Sequence, residues 1–443
     1  MTTEEEIQRI ESKVLQSIII KPLIGYKIFI LVCVFFVSLG LFFWIKQITL
    51  GLGVTGLNTP VFWGVYIVNF VFFIGISHAG TLISSILRIT DTQWRTPFTR
   101  MAEAITVFSL PFGVGSVVID LGRPDRLLHT LNFPHLTSPI IWDVLCISTY
   151  LITSCLYFYL ALVPDIALCR DILKTVSPFK QKVYKTLSLR WQGTPKDWKT
   201  LNKILTGMSI FLFALVISVH TNVSFVFGMT LKPGWHTAVI GPYFVLGAIY
   251  SGVATVIVVM AILRRVYSLE EIVREEHFQK IGKFLLTLCC FWFYFTVVEV
   301  LTTFYGGEAA HMIVFKAKFF EEYAFIFWLM FVLNFIIPFA VLSNFFSLIK
   351  LRTIQNMVIV SIIIDIGMWL ERYSIIVPSG ARPYLPWQTG HYLPTLTEWS
   401  ITLMLLFGFF LLLGVFIKFF PIITLWELKE SVHTSNPNKS EKN

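Results

Sequence analysis

Charged residues are scarce in this chain, because Asp, Glu, Lys and Arg make up only 14% of its 443 residues. An average soluble protein contains roughly 25%, so this scarcity excludes an ordinary soluble domain. Hydrophobic residues account for 56% of the sequence. They form runs of about 18 residues or more, long enough to cross the roughly 30 Å hydrocarbon core of a bilayer. The sequence therefore predicts an all-α, polytopic membrane protein.

Metal-binding cysteine motifs are also missing. The six cysteines form no C-x-x-C and no Cys/His spacing of the zinc or iron-sulfur kind, so we expect no metal bound by this chain. The segment Met1 to Lys21 lacks the basic, apolar, small-residue order of a secretory signal peptide. We therefore expect the first apolar span to be retained as a helix.

Ten apolar spans can be drawn along the sequence. Their predicted bounds are 24–45, 61–88, 98–121, 140–164, 202–227, 239–264, 279–305, 323–348, 354–376 and 398–420. Residues 1–23 form a predicted cytoplasmic N-terminal segment, 24–420 the transmembrane domain, and 421–443 a cytoplasmic tail. The basic stretch 165–201 is a predicted cytoplasmic connector between spans 2–5 and spans 6–9.

The basic residues indicate an orientation. Although the net charge is +9, 27 of the 35 Lys and Arg residues lie at the two termini and in alternate loops, those after spans 2, 4, 6 and 8. Such alternation sets membrane topology and does not indicate nucleic-acid binding. We therefore expect both termini to face the cytoplasm.

Ionisable residues within the spans are the main candidates for function, because a charge in hydrocarbon costs several kcal/mol. They are His78, Glu103, Asp120, Asp143, His220, Glu299, Asp365, Glu371 and Arg372. On the predicted topology most of them fall in the outer half, near His129 and His236 of the outer loops, whereas His78 and Glu103 fall in the inner half. A cluster of carboxylates and imidazoles near one surface suits a reaction that releases protons there.

Structural roles compete with functional ones at several of these positions. Glu371 and Arg372 could be an ion pair or an interfacial anchor as well as substrate ligands. Glu103 could pair with Arg100 one turn earlier, and His78 lies among small residues that permit close helix packing. Because His78 and His220 are predicted at different depths, the sequence disfavours a haem held between them.

Six long stretches follow one another in order: GLNTPVFWGVYIVNFVFFIGISHAGTLISSILRI, WRTPFTRMAEAITVF, DLGRP, SPIIWDVLCISTYL, PGWHTAVIGPYFVLGAIYSG and GMWLERYSIIVPS. Together they resemble the NrfD or polysulfide-reductase-type, quinol-interacting membrane subunits. Within that family the chain is similar to ActC of the bacterial alternative complex III. The resemblance runs from about Gly56 to Lys429.

The resemblance implies ten helices, with two four-helix bundles and two peripheral helices, and no cofactor held by the chain itself. It implies that quinol or menaquinol binds near the periplasmic face and that its electrons pass to an iron-sulfur subunit docked there. Further implied partners are c-type haem subunits and a paralogous NrfD-like membrane subunit, besides lipids. We carried the family motifs over residue by residue. The position directly before L-G-R-P is Asp120, and the aspartate of S-P-x-x-W-D is Asp143. ActC often has histidine at the first of these positions.

The resemblance thus assigns Asp120 and Asp143 to the quinol site as proton acceptors, with Arg123 holding the loop or a neighbouring carboxylate. Residues of a proton route would be His78, Glu103, His220, Glu299 and Asp365, and support at the outer face would come from His129, His236, Glu371 and Arg372. Two other functions stay open from the sequence: a secondary transporter, or an anchor of a redox complex that has no quinol site of its own.

Overall fold

A computed structural model of the chain describes residues 9, 11–15, 18–19, 24–89, 96–173, 176–344 and 352–428. Ten of its helices are long and apolar enough to cross a membrane, which confirms the predicted number. They are α1 (Ile24–Leu50), α2 (Val65–Ile89), α3 (Thr96–Asp120), α4 (Pro139–Ile172), α5 (Pro195–Gly228), α6 (Ile240–Val266), α7 (Glu275–Gly306), α8 (Ala324–Leu342), α9 (Ile354–Ala381) and α10 (Leu396–Phe419). No strand occurs in the described part of the chain.

The predicted connector 165–201 is shorter than expected because helices extend into it from both sides. The α5 helix begins at Pro195, where Thr194 and Asp197 form a capping box and proline occupies the first turn. Its first turns are polar, so a hydropathy criterion places the start seven residues too late. Between α4 and α5 lies one further short helix, Pro178–Leu187, capped by Ser177.

The eighth and ninth spans also differ from their predicted bounds. In α8, a π-helical turn covers Val332–Ile336, and the predicted end of this span, at 348, lies outside the described residues. The α9 helix continues to Ala381, five residues beyond the predicted end of this span at 376. Its last turns are buried, so the polar and proline-containing sequence there packs inside the protein. Most of the predicted terminal segments 1–23 and 421–443 also lie outside the described residues.

Helix packing produces two four-helix groups and a peripheral pair. The α2 helix packs against α3 and α5, and α4 packs against α3 and α5; in the second group α6 packs against α7 and α9, and α8 against α7 and α9. Contacts between α2 and α6 join the groups, while α1 packs on α10. Close approach within the first group requires Gly80, where a methyl group would lie 1.9 Å from the Ala102 carbonyl oxygen.

Successive membrane helices run in opposite directions, so their ends lie at two opposite ends of the protein. We call the end that carries Asp120 and Asp143 the aspartate end, and the other the opposite end. At the aspartate end the buried Glu398 carboxylate accepts hydrogen bonds from the Gly56 N–H (2.8 Å), the Thr395 N–H (2.8 Å) and the Tyr392 hydroxyl (2.5 Å). Burial and the Glu398 charge raise the pKa of the Tyr392 hydroxyl, so this hydroxyl stays a donor and the loops are held in place.

Candidate functional site

Asp120 is the last residue of α3, where the helix end is held by two neighbouring helices. The Gln47 side chain of α1 donates to the Ile119 carbonyl (2.9 Å) and accepts from the Tyr66 hydroxyl (2.6 Å). The Asp120 Oδ1 atom is buried and meets no hydrogen-bond partner among the described residues. Since a buried carboxylate oxygen is normally hydrogen-bonded, Asp120 has the free acceptor capacity that a ligand hydroxyl requires.

Asp143 lies in the second turn of α4, which Ser138 caps by accepting from the Ile140 N–H. The side chain is buried, and its Oδ1 atom also lacks a partner in the described part of the chain. One turn further along α4, Cys146 Sγ accepts from Asn222 Nδ2 of α5 at 2.8 Å, which fixes this part of α4. Asp120 at the end of α3 and Asp143 near the start of α4 therefore lie at the same end of the protein, and no hydrogen bond joins them.

Arg123 does not contact either of these aspartates. It forms a bidentate pair with Asp125, with Nε to Oδ1 at 3.0 Å and Nη2 to Oδ2 at 2.9 Å, and this pair holds the pKa of the exposed Asp125 carboxyl below its usual range. His129 begins the short exposed helix His129–Asn132 and packs against Phe133. Both residues thus lie in the segment between α3 and α4, and both are solvent-exposed.

The prediction that His78 and His220 lie at different depths was wrong. Their imidazole rings are in direct contact, with centroids 4.7 Å apart. The α5 helix has 34 residues and is thus about 51 Å long, far longer than the bilayer core. Counting residues from one predicted boundary therefore misplaces a side chain on such a helix. The depth argument against a shared haem was wrong for the same reason.

The histidine pair lies in a fully buried region between α2 and α5. His78 Nδ1 hydrogen-bonds the Ile74 carbonyl, whereas His78 Nε2 and both ring nitrogens of His220 have no partner among the described residues. The Tyr150 ring lies 5.1 Å from His78, and its hydroxyl bonds Thr81 (2.9 Å) and the Ser77 carbonyl (2.9 Å). Three ring nitrogens without a hydrogen-bond partner therefore lie close together, where buried polar atoms are normally paired, and imidazole nitrogens can take up and release protons.

Glu371 and Arg372 form an internal ion pair and not an interfacial anchor, since both are 1% exposed. The distance from Arg372 Nη1 to Glu371 Oε2 is 2.7 Å, and Trp292 Nε1 donates to Glu371 Oε1 at 2.6 Å. The guanidinium lies over the Phe244 ring at 5.1 Å, and the same ring lies 5.9 Å from the His220 ring. Phe244 therefore connects the ion pair of the second helix group to the histidine pair of the first.

A cavity of about 30 Å³ lies beside this ion pair towards the aspartate end, and Glu299, Lys318, Tyr243 and Glu371 contribute to its wall. Lys318 Nζ is 3.9 Å from Glu299 Oε1. The volume exceeds the roughly 10–15 Å³ that one water molecule needs, and the wall supplies polar partners. His311 also lies in the wall of this cavity, and its ring stacks on that of His236 with centroids 5.8 Å apart.

Glu103 and Arg100 do not pair with each other as the alternative from the sequence suggested. Arg100 Nη2 lies 2.7 Å from Asp165 Oδ2, with both side chains buried, and Glu103 Oε1 accepts from Ser84 at 2.8 Å. Sequence reasoning missed Asp165 because it lay in the predicted connector, which α4 in fact occupies. Asp365, on α9, accepts hydrogen bonds from Thr255 of α6 at 3.2 and 3.3 Å.

Asn334 is a second residue that the sequence analysis missed. It lies fully buried in the π-helical turn of α8, with both side-chain polar atoms unpartnered among the described residues. Its Oδ1 atom would lie 2.2 Å from a methyl group on Gly367, so a glycine is required there. An asparagine inside an apolar span was the available signal, but the π turn that orients it has no sequence signature.

No group of three or more His, Cys, Asp or Glu side chains within the described ranges is arranged to hold a metal ion. In comparisons with known proteins, a family model described as polysulphide reductase, NrfD, matches residues 53–383. A Halobacterium salinarum protein, provisionally named as a membrane subunit of dimethyl sulfoxide reductase, is 24% identical over 51% of this chain and 49% of its own length. The chain thus spans about half the length of that relative.

Two other relatives align over nearly their whole length. A selenate reductase subunit of Mesobacillus selenatarsenatis is 21% identical over 89% of this chain and 94% of the relative. The Hdr-like menaquinol oxidoreductase integral membrane subunit of Archaeoglobus fulgidus is 21% identical over 86% of this chain and 90% of the relative. All three relatives are named as subunits of a reductase or an oxidoreductase, two of them explicitly as membrane subunits.

Proposed function

The chain belongs to the polysulphide reductase NrfD family, and from that membership we propose that it is the quinol-oxidising membrane subunit of a respiratory complex. The observation that carries the proposal is that Asp120 and Asp143 each have a buried carboxylate oxygen without a partner among the described residues, at the same end of the helix bundle. A quinol hydroxyl would donate a hydrogen bond to one of these oxygens. The carboxylate would then take the proton as the electrons leave, and would pass it to water outside.

The names of the relatives support this reaction class. One relative is named as a menaquinol oxidoreductase and the others as selenate and dimethyl sulfoxide reductases, and quinol oxidation in the membrane can supply the electrons that such reductions consume. In our proposal the electrons pass to an iron-sulfur subunit docked at the aspartate end. The finer proposal, similarity to ActC of alternative complex III, adds c-type haem subunits and a paralogous membrane protein as partners.

The test is quinol-dependent reduction of the partner centres. The protein is isolated gently from native membranes, menaquinol is added, and iron-sulfur EPR signals and c-haem absorbance are followed in the co-purifying subunits. We expect rapid reduction of the iron-sulfur centres. Reduction of c-haems as well would favour the alternative complex III assignment, and iron-sulfur reduction without haem would favour a terminal reductase. A protein without redox partners or quinol response would favour a transporter.

We place the aspartate end on the periplasmic side of the bacterial inner membrane, with both termini in the cytoplasm. The support is the distribution of Lys and Arg, most of which lie at the opposite end. Single cysteines introduced at Lys185 and Lys196, two exposed residues of the segment between α4 and α5, test the orientation. We expect a membrane-impermeant thiol reagent to label them only after the cells are opened; labelling in intact spheroplasts would reverse the orientation.

Proton translocation is a second candidate function, favoured by a line of buried polar side chains that crosses the protein. From the aspartate end to the opposite end the line comprises Glu299, Glu371, Arg372, His220, His78, Thr81, Ser84, Glu103, Arg100 and Asp165. Direct contacts join four of the nine successive pairs: Glu371–Arg372, His220–His78, Ser84–Glu103 and Arg100–Asp165. Phe244 separates Arg372 from His220. Buried ionisable groups in this arrangement are typical of proton relays in membrane proteins.

The proton route can be tested with Glu103→Gln, which keeps the shape of the side chain and removes its titration. In proteoliposomes that contain the whole complex, we expect fewer protons to be translocated per electron, whereas quinol oxidation in the presence of an uncoupler stays largely intact. Glu276→Gln is the matched control, because Glu276 is exposed in the first turn of α7. An unchanged proton-to-electron ratio in Glu103→Gln would exclude the route through this residue.

A further inference from the structure

A cavity of about 210 Å³ opens at the opposite end of the protein, between the end of α4 and the beginning of α5. The residues of its wall that matter here are Asp165, Arg170, Trp191, Gly193, Trp198 and Trp426. We call it the tryptophan cavity. It is remote from Asp120 and Asp143, because α4 separates it from the aspartate end by its whole length.

Two indole N–H groups face the same space in this cavity. A methyl group placed on Gly193 would lie 3.7 Å from Trp191 Nε1 and 3.8 Å from Trp198 Nε1. Neither indole nitrogen donates a hydrogen bond to any residue that the structure describes. The two rings are perpendicular, with centroids 5.2 Å apart and an interplanar angle of 88°. Two donors without acceptors therefore converge over a residue that has no side chain.

The carboxylates in the wall are already neutralised by arginines. Asp165 pairs with Arg100 at 2.7 Å, and Asp171 accepts from Arg170 Nε at 2.8 Å and from Arg170 Nη2 at 2.9 Å. The exposed charged side chains near the two tryptophans in sequence are cationic, namely Arg190, Lys196 and Lys199. Asp197, which directly precedes Trp198, is half-buried and accepts from the Thr194 N–H. The electrostatic balance of this surface thus favours an anion.

We infer that the tryptophan cavity binds the phosphate group of an anionic membrane phospholipid. Indole N–H groups are donors only, so a ligand that binds between them has to offer an acceptor. A quaternary ammonium group would instead require the ring faces to be turned towards it. A lipid is the source because the cavity lies where α4 and α5 reach their ends, and basic pockets between membrane helices recognise lipid phosphates.

Native mass spectrometry of the full-length protein in its purified complex tests the inference. The complex is stripped of lipid in detergent and titrated with phosphatidylglycerol, for the natural chain and for the double variant Trp191→Phe/Trp198→Phe. Phenylalanine keeps an aromatic ring and removes the N–H. We expect one phosphatidylglycerol to bind at least about tenfold more weakly to the double variant, since two hydrogen bonds to a charged group are lost. Trp387→Phe, at an exposed tryptophan of the aspartate end, should bind like the natural chain.

Three further measurements test whether the site exists and whether its ligand is a lipid. Each single variant should show an intermediate loss, which keeps the test valid if the double variant is unstable. Phosphatidylcholine, whose phosphate is neutralised by its own ammonium group, should bind more weakly than phosphatidylglycerol. Displacement of phosphatidylglycerol by millimolar inorganic phosphate would show that a soluble phosphate is the ligand and would overturn the lipid source. Equal lipid binding by the natural chain and the double variant would overturn the site itself.

Discussion

Replacing Asp143 by Asn is expected to lower the rate of quinol oxidation by about a hundredfold or more, because general acid–base groups contribute on the order of 10²–10⁴ in rate. The substitution keeps the size of the side chain and its hydrogen-bonding capacity, but the amide cannot take the quinol proton. The variant should still assemble with its partners, since the Asp143 Oδ1 atom holds no other part of the described structure. The measurement is the rate of iron-sulfur reduction after mixing with menaquinol.

Asp125→Asn is the matched control for this experiment. Asp125 lies at the same end of the protein, but its side chain is 59% exposed and bound only to Arg123. We expect this variant to oxidise quinol at close to the natural rate. If Asp143→Asn did the same, the chain would be an anchor without a quinol site of its own, and the reaction would have to lie in a partner subunit.

Asp120→Asn separates two arrangements of the site. If both aspartates contact one quinol, each single substitution should slow oxidation strongly, and the double substitution should add little, because groups that act as a unit are not additive. If Asp120 only stabilises the end of α3, its substitution should lower the unfolding temperature and leave the rate unchanged. The comparison thus tests the convergence that motif matching assumes.

The number and type of the helices could be predicted from the sequence because a membrane allows few solutions. In hydrocarbon every backbone N–H and C=O must be satisfied internally, so a sufficiently long apolar run has to be a helix. The bounds were less predictable where polar residues continue a helix beyond the bilayer. Both the first turns of α5 after Thr194 and the last turns of α9 up to Ala381 are of this kind.

The contacts between side chains were less predictable than the residues themselves. Hydropathy singled out His78, His220, Glu371 and Arg372 as ionisable residues within spans, but it could not show that the two imidazoles are in contact. That contact depends on the length and position of α5 and on the side chains that α2 and α5 turn towards each other. Glu103 shows the same limit: its neighbour on the helix, Arg100, pairs with Asp165 of α4 instead.

Replacing Arg372 by Met is expected to destabilise the protein by about 3–5 kcal/mol, the usual cost of removing one partner of a buried ion pair. The Glu371 carboxylate would stay buried with Trp292 as its donor, but without the cation 2.7 Å away. Thermal or denaturant unfolding of the purified protein in detergent measures the change. Arg123→Met is the control, because its pair with Asp125 is exposed and contributes little to stability.

The double variant Glu371→Gln/Arg372→Met shows whether this cost comes from an uncompensated charge. The glutamine amide oxygen can still accept from Trp292 Nε1, and no ion is left in the apolar interior, so we expect most of the stability to return. A cost that persists in the double variant would instead come from lost packing of the guanidinium on Phe244. In that case Arg372 would act mainly as a spacer between the two helix groups. The proposed proton line would then have no functional charge at the place where it passes from the second helix group to the first.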